Sequence, residues 1–329
     1  MTSLNLAFIG YGRHAKLNLY PSIKALGYQL TSVATTHLES AQQAGRDYQI
    51  PHVYTDYQKL LQEQKPDAVF VCTPPQNYYA IIKDVLLSGS HVFAEKPLGM
   101  TLKEAESIVE ISRTTGKHVM VGFMKRFAPA FIKIKEAISS VEFGQPLGLS
   151  QLYTCRNFAK DSKEYLLFAA IHYVDLLRWY YGEVSSVTGE QFLSGDSLIL
   201  SYTLKFKNGA VGSLQYCGAP SWEKAAAEMT LTGTGGYVRI SGTDKVVIYY
   251  KDLALTQPRW QVTGENEQTF ETMLTTSGGW MQSLYLNGFV GEISHFVESI
   301  EHGRAPQNSA LDNFQTMQIV DQMINCFKK

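Results

Sequence analysis

Leu4-Asn5-Leu6-Ala7-Phe8-Ile9, followed at once by Gly10-Tyr11-Gly12-Arg13-His14-Ala15, is an apolar run that ends in a glycine-rich turn and opens a helical pattern. The first glycine permits a tight turn, the second lets backbone approach a pyrophosphate, and the small third residue packs helix against strand. Amides at the start of the following helix then hold phosphate oxygens. A lone turn of this kind also serves as an ordinary strand-to-helix connection, so its surroundings decide. Apolar, β-branched runs recur at 30–34, 68–72, 91–94 and 118–122, with helix-like segments at 13–26, 38–48, 57–64, 77–88 and 102–115 between them. Parallel neighbours need crossovers, and helices supply them. The alternation predicts an α/β fold, with an N-terminal Rossmann-type, doubly wound parallel sheet and the glycine turn after its first strand.

Beyond residue 122 the pattern changes. A helix at 129–139, a strand at 147–155 and a strongly apolar helix at 166–181 precede strand-like runs at 197–206, 210–217 and 237–250. Leu198, Leu200, Tyr202, Leu204 and Phe206 alternate with Ile199, Ser201, Thr203 and Lys205, so one sheet face is covered and the other is mixed. That mixed face can meet solvent or a second subunit, and pairing through it predicts a homodimer or homotetramer. Helices at 284–301 and 310–327 close the chain. The expected division is a dinucleotide-binding domain at 1–122 and a substrate-binding and oligomerisation domain at 123–329, an open, mostly antiparallel α/β sheet.

The 29 basic and 30 acidic side chains nearly cancel, which removes the field needed to gather nucleic acid or an anionic membrane by charge. No apolar run reaches the length of a membrane span. A small-molecule partner is expected instead. Cys72, Cys155, Cys217 and Cys326 lie far apart with no C-x-x-C pair. They predict reduced thiols, no metal and a cytoplasmic protein. Where NAD-binding turns carry an acidic residue for the adenosine ribose, Ala34 is followed by Thr35, Thr36 and His37. These side chains, with Arg13, favour NADP over NAD; the alternative is that they are loop residues with no cofactor role.

Further motifs follow in order: Cys72-Thr73-Pro74, Glu95-Lys96-Pro97, His172-Tyr173-Val174-Asp175, Gly233-Thr234-Gly235-Gly236 and the stretch from Glu292 to Pro306. In this order and spacing the chain resembles the glucose-fructose oxidoreductase/inositol dehydrogenase (Gfo/Idh/MocA) family over essentially its full length. The resemblance implies NAD(P)-dependent oxidation or reduction of a sugar or polyol carbon in a cleft between two domains. It implies cofactor contacts from Gly10, Gly12, Arg13, His14, Ala15, Thr73, Pro74, Glu95 and Lys96. Lys96 matches the family lysine that touches substrate and cofactor, and His172 matches its usual acid/base histidine.

That assignment suits the chemistry. Hydride departure from an alcohol needs a group to take the hydroxyl proton, and an imidazole serves both directions near neutral pH. An ammonium at a strand's C-terminal end steadies developing alkoxide charge, and Pro97 restrains the backbone that aims it. The bland alternatives are a solvated Lys96 and a hydrogen-bonded helix histidine. Asp175 either orients His172 or serves as a structural carboxylate. Arg126 either contacts substrate or forms a hinge salt bridge. Two departures stand out: Phe168 replaces an aspartate common in the family four residues before the histidine, and Tyr78 replaces a frequent histidine. Phe168 predicts a more apolar pocket than a polyol site. It also keeps open a dinucleotide-bound sensor without turnover, and redox-neutral sugar chemistry with tightly held NAD stands as a third reading.

Overall fold

The computed structural model describes residues 4–219, 226–251, 267–272 and 279–327. By contact density the chain divides into two compact units, 1–127 with 276–318 and 128–275 with 319–329. The chain thus leaves its first unit after residue 127 and returns to it for residues 276–318.

In the first unit, β1 (Leu6–Ile9), β2 (Leu30–Ala34), β3 (His52–Tyr54), β4 (Ala68–Val71), β5 (His91–Glu95) and β6 (Val119–Gly122) form one sheet in the order β3-β2-β1-β4-β5-β6. Every pairing in it is parallel. The strand order reverses beside β1, the switch point outside which open α/β sheets bind ligands. The short strand β3 escaped the periodicity: its three residues are exposed or half-buried and give no apolar run.

A π-helical turn (Ala15–Leu19) leads into α1 (Tyr20–Ala25), and α2 (Leu38–Tyr48), α3 (Tyr57–Gln64), α4 (Tyr78–Leu87) and α5 (Leu102–Thr115) supply the remaining crossovers. Asp56 caps α3 by accepting from Gln58 N, and Thr101 caps α5 by accepting from Glu104 N. Gly116 ends α5 in the left-handed region at φ 67°.

The returning segment carries α9 (Gly279–Leu286) and α10 (Phe289–Glu301) where one helix at 284–301 was expected. Gly288 breaks it at φ 93°, and its N–H donates to Tyr285 O. From α10, Phe289, Ile293, Phe296 and Val297 enter the core that contains Phe8, Phe70 and Phe93. Phe296 meets Phe70 and Phe93 edge-on, with ring centres 5.4 and 5.7 Å apart. Each such side chain contributes roughly 1.5–3 kcal/mol by leaving water, which is why this stretch belongs to the first unit.

In the second unit, α6 (Pro129–Ile138), α7 (Ser162–Tyr165) and α8 (Ile171–Tyr181) accompany a sheet of β7 (Pro146–Arg156), β8 (Val184–Ser194), β9 (Ser197–Phe206), β10 (Val211–Ala219), β11 (Ala226–Gly233), β12 (Gly236–Ser241), β13 (Lys245–Tyr250) and β14 (Glu267–Glu271). Their order is β14-β13-β12-β11-β7-β10-β9-β8, and only β7 and β10 pair in parallel. The expected alternation in β9 holds: Leu198, Leu200, Tyr202, Leu204 and Phe206 are buried while Ile199, Ser201, Thr203 and Lys205 are exposed. The run at 237–250 is a hairpin rather than one strand, turned at Gly242 with φ 74°. The helix expected from residue 166 starts as a π-helical turn (Leu166–Ala170) before α8. α11 (Ala310–Asn325) is the last helix, and among the described residues no helix is long and apolar enough to cross a membrane.

Candidate dinucleotide site

The turn after β1 is fixed from three sides. Gly10 stands at φ 112°, and a Cβ built on it lies 2.1 Å from Cys72 O, so no side chain fits. Its N–H donates to Ala34 O at 2.8 Å, and its carbonyl accepts from Tyr20 OH at 3.0 Å. The chain can pass between β2 and β4 here only as glycine. Gly12 is the opposite case: a Cβ built there meets nothing within 4 Å and points into open space.

That space is a cavity of about 620 Å³ at the carboxyl ends of β1, β2, β3 and β4. Its walls include Gly10, Gly12, Arg13 and His14 from the turn, Thr35, Thr36 and His37 after β2, and Thr73 and Pro74 after β4. No acidic side chain is among the lining residues, which supply the cations Arg13 and the protonatable rings of His14 and His37. Thr35 Oγ1 donates to His37 O and holds the loop in shape. The volume, the helix start at the turn and the open space at Gly12 fit a dinucleotide whose pyrophosphate lies on the turn.

The sequence also nominated residues that stand outside this wall. Ala15 is fully buried beneath the turn, and Tyr78 is buried at the start of α4. Glu95 is buried behind the cavity, with Oε1 3.0 Å from His14 Nε2 and Oε2 accepting from the Lys96 N–H. Lys96 follows β5; burial lowers its titration, and the Glu95 charge opposes that effect. Burial likewise brings Lys125 down to about 8. Ser40, Thr55, Tyr57, Asn77, Ala80 and Ile81 also line the cavity and were not foreseen. Thr55 and Tyr57 follow the short strand the periodicity missed, whereas Asn77, Ala80 and Ile81 are visible as the opening of a helix after Thr73-Pro74.

Arg126 is buried and its Nη1 meets Asp312 Oδ2 at 2.9 Å, an ion pair within the first unit. In the second unit, Phe168 lies in the π-helical turn Leu166–Ala170, and His172 and Asp175 lie in the first turns of α8, both buried. π-helical turns cluster where side chains are re-aimed for function, and both nominated helix starts carry one.

Known proteins share this architecture. A family described as oxidoreductases with an NAD-binding Rossmann fold matches residues 4–123, and its C-terminal α/β domain matches residues 162–329. The chain is 26% identical to scyllo-inositol 2-dehydrogenase (NAD(+)) of Bacillus subtilis over 98% of its own length and 93% of that protein's. A dehydrogenase structure from Chromobacterium violaceum superposes with a TM-score of 0.87 at 21% identity, covering 99% of this chain and 95% of that one. Levoglucosan dehydrogenase in complex with NADH superposes with a TM-score of 0.84 at 20% identity, covering 98% and 96%. With both family domains matched in order along its length, the chain belongs to the Gfo/Idh/MocA oxidoreductases and carries their NAD-binding Rossmann fold.

Proposed function

We propose that the chain is a dehydrogenase or reductase that moves a hydride between a nicotinamide dinucleotide and a hydroxyl or carbonyl carbon of a small, sugar-like compound. The cavity around the glycine turn carries this reading, because its open side is the one a Cβ at Gly12 would fill. Bound there, the nicotinamide supplies the hydride acceptor or donor. Amides at the turn and the side chains of Arg13 and His14 hold the pyrophosphate, and Thr73 and Pro74 form the wall beyond it. Thr35, Thr36, His37 and Ser40 line the cavity with no carboxylate among its lining residues, Glu39 lying outside it, and so leave room for a 2′-phosphate and favour NADP over NAD.

In the chemical step His172 takes the proton from the substrate hydroxyl, or returns it to the carbonyl oxygen in reduction. Lys96, with Glu95 behind its backbone, steadies the negative charge that develops on that oxygen. Phe168 makes the substrate surroundings more apolar than an inositol would need, while Tyr78 can still stack or donate a hydrogen bond. The Asp312 ion pair supports the structural one of the two readings of Arg126.

On β8 and β9 of the second sheet Phe192 lies opposite Ile199, and the two form an exposed apolar patch. Such a patch supports a homodimer or homotetramer paired through this face, and a monomer in sedimentation equilibrium at micromolar concentration refutes that part. Four thiols without disulfides suit a reducing, cytoplasmic setting.

The test is NADPH and NADH titration by fluorescence, followed by a turnover screen of sugars, polyols and keto compounds at the nicotinamide absorbance band. His172→Asn is expected to lower kcat by about 10²–10⁴-fold while leaving the dinucleotide Kd unchanged. Tight dinucleotide binding with no turnover across the panel, or an unaltered rate in Lys96→Met, refutes the dehydrogenase reading.

A further inference from the structure

His14 stands in the wall of the cavity with its side chain 45% exposed, yet both ring nitrogens face protein groups. Nε2 lies 3.0 Å from Glu95 Oε1, and Nδ1 lies 3.1 Å from Asn18 Nδ2 one turn along the helix, a contact that an imidazolium keeps with the Asn18 amide turned to present its accepting oxygen. The ring therefore meets a ligand in the cavity through its charge and not through a hydrogen bond. Glu95 is fixed in turn: its Oε2 accepts from Lys96 N, and its carboxyl group lies against Gly122, where a Cβ would come within 3.1 Å. From α10 the Phe289 ring meets the imidazole edge-on at 5.7 Å.

We propose that His14 binds the dinucleotide as an imidazolium, so that binding is linked to one proton that sits on His14 and is retained there by Glu95. The inference rests on the dinucleotide reading of the cavity. Around His14 the ionisable groups are few. Glu95 attracts the ring's proton and Lys96 at the end of β5 repels it, while Arg13 and Lys16 flank it on its own segment. Cys72, after β4, remains a neutral thiol through burial and the Glu95 charge. Glu292 on α10 has no exposed surface, and among the described residues nothing hydrogen-bonds either of its carboxyl oxygens; burial and then Glu95 push its titration well above the usual carboxylate range. Burial and the nearby Glu95 charge both favour the protonated form of Glu292. Burial lowers the titration of His14, but the charge and hydrogen bond of Glu95 outweigh it and leave it raised above 6.5. A pyrophosphate in the cavity raises it further. Between the two titration points binding takes up a proton, and affinity falls as pH rises through that interval.

Isothermal titration of NADH at pH 7–8.5, in two buffers of different ionisation enthalpy, reads the proton directly. The wild-type protein is expected to take up a fraction approaching one proton per chain, with Kd rising by up to about tenfold per pH unit across the interval. In His14→Gln the uptake disappears and Kd becomes flat with pH. In Glu95→Gln both effects move to lower pH, and in Glu292→Gln neither changes. Tight NADH binding with no proton uptake overturns the proposal and leaves the dinucleotide reading intact. Uptake that survives in His14→Gln, or is lost in Glu292→Gln, places the proton elsewhere and overturns it. If neither NADH nor NADPH binds at any pH, the reading beneath it falls as well.

Discussion

Gly10 and Gly12 are two residues apart in one turn, and the structure gives them opposite duties that a pair of substitutions separates. In Gly10→Ala the new methyl would lie 2.1 Å from Cys72 O and 2.9 Å from Cys72 C, at a φ of 112° that L-residues avoid. The backbone conformation costs about 1–2 kcal/mol and the forced shift of β4 costs about 1–3 more, so a loss of roughly 3 kcal/mol is expected. For a unit of this size that lowers its melting temperature by about 6–12 °C. In Gly12→Val the added atoms enter open space, so stability changes by no more than about 0.5 kcal/mol. They occupy the cradle instead, and NADH affinity should fall at least tenfold, about 1.4 kcal/mol. Calorimetry and fluorescence titration on both variants decide the matter. A Gly10→Ala protein as stable as its parent, or a Gly12→Val protein that binds NADH normally, refutes the account of this turn.

Other consequences are open to measurement. Arg126→Met leaves Asp312 without its ion-pair partner, with side chains 3% and 24% exposed in the pair, and should cost about 2–4 kcal/mol in urea unfolding; a change below about 0.5 kcal/mol returns Arg126 to the substrate role. His91 is lowered to about 4 by burial and then by Lys117 and His118, so the unfolded chain binds the proton more readily than the fold does. Stability is therefore full above about pH 6.5 and falls as pH drops towards 4, by on the order of 1–2 kcal/mol after solvent screening; His91→Asn should flatten that slope in urea titrations at stepped pH. Phe192→Lys with Ile199→Glu should abolish self-association in sedimentation equilibrium without changing NADH affinity. NADPH should bind more tightly than NADH, and the gap should shrink in Arg13→Ala.

Much of this was legible because local chemistry and tertiary context agree. The turn at Gly10, the alternation of Leu198 to Phe206 and the left-handed Gly116 each follow from one constraint that residue type reveals directly. The misses have physical causes too. His52–Tyr54 is a three-residue edge strand with partly exposed side chains, too short to show a period. Gly288 and Gly242 interrupt apolar runs that otherwise read as continuous, since a glycine is tolerated inside either pattern until its φ is known. Glu292 reads in the sequence as part of a motif, although its place carries a further signal. It falls three residues after Phe289 and four before Phe296, on the buried stripe of its helix, where a carboxyl group requires an explanation. The Arg126–Asp312 pair joins residues distant in sequence, and no local pattern announces it.

The division of labour between the two units sharpens what the site can be tested for. Every residue lining the cavity belongs to the unit built on the parallel sheet, and its turn is held by Ala34, Cys72 and Tyr20 before any ligand arrives. Little ordering cost then remains to be met on binding, so affinity depends on the fit of the cradle. His172 and Phe168 belong to the other unit, on a helix whose start is π-helical. Substitutions there should move kcat and substrate preference while dinucleotide affinity stays fixed. Phe168→Asp is the informative case, because it restores the carboxylate common in the family at a half-buried position. A gain of activity towards polyols with NADH binding unchanged shows that the departure at Phe168 sets substrate class; loss of NADH binding shows that the two units do not divide the work in this way.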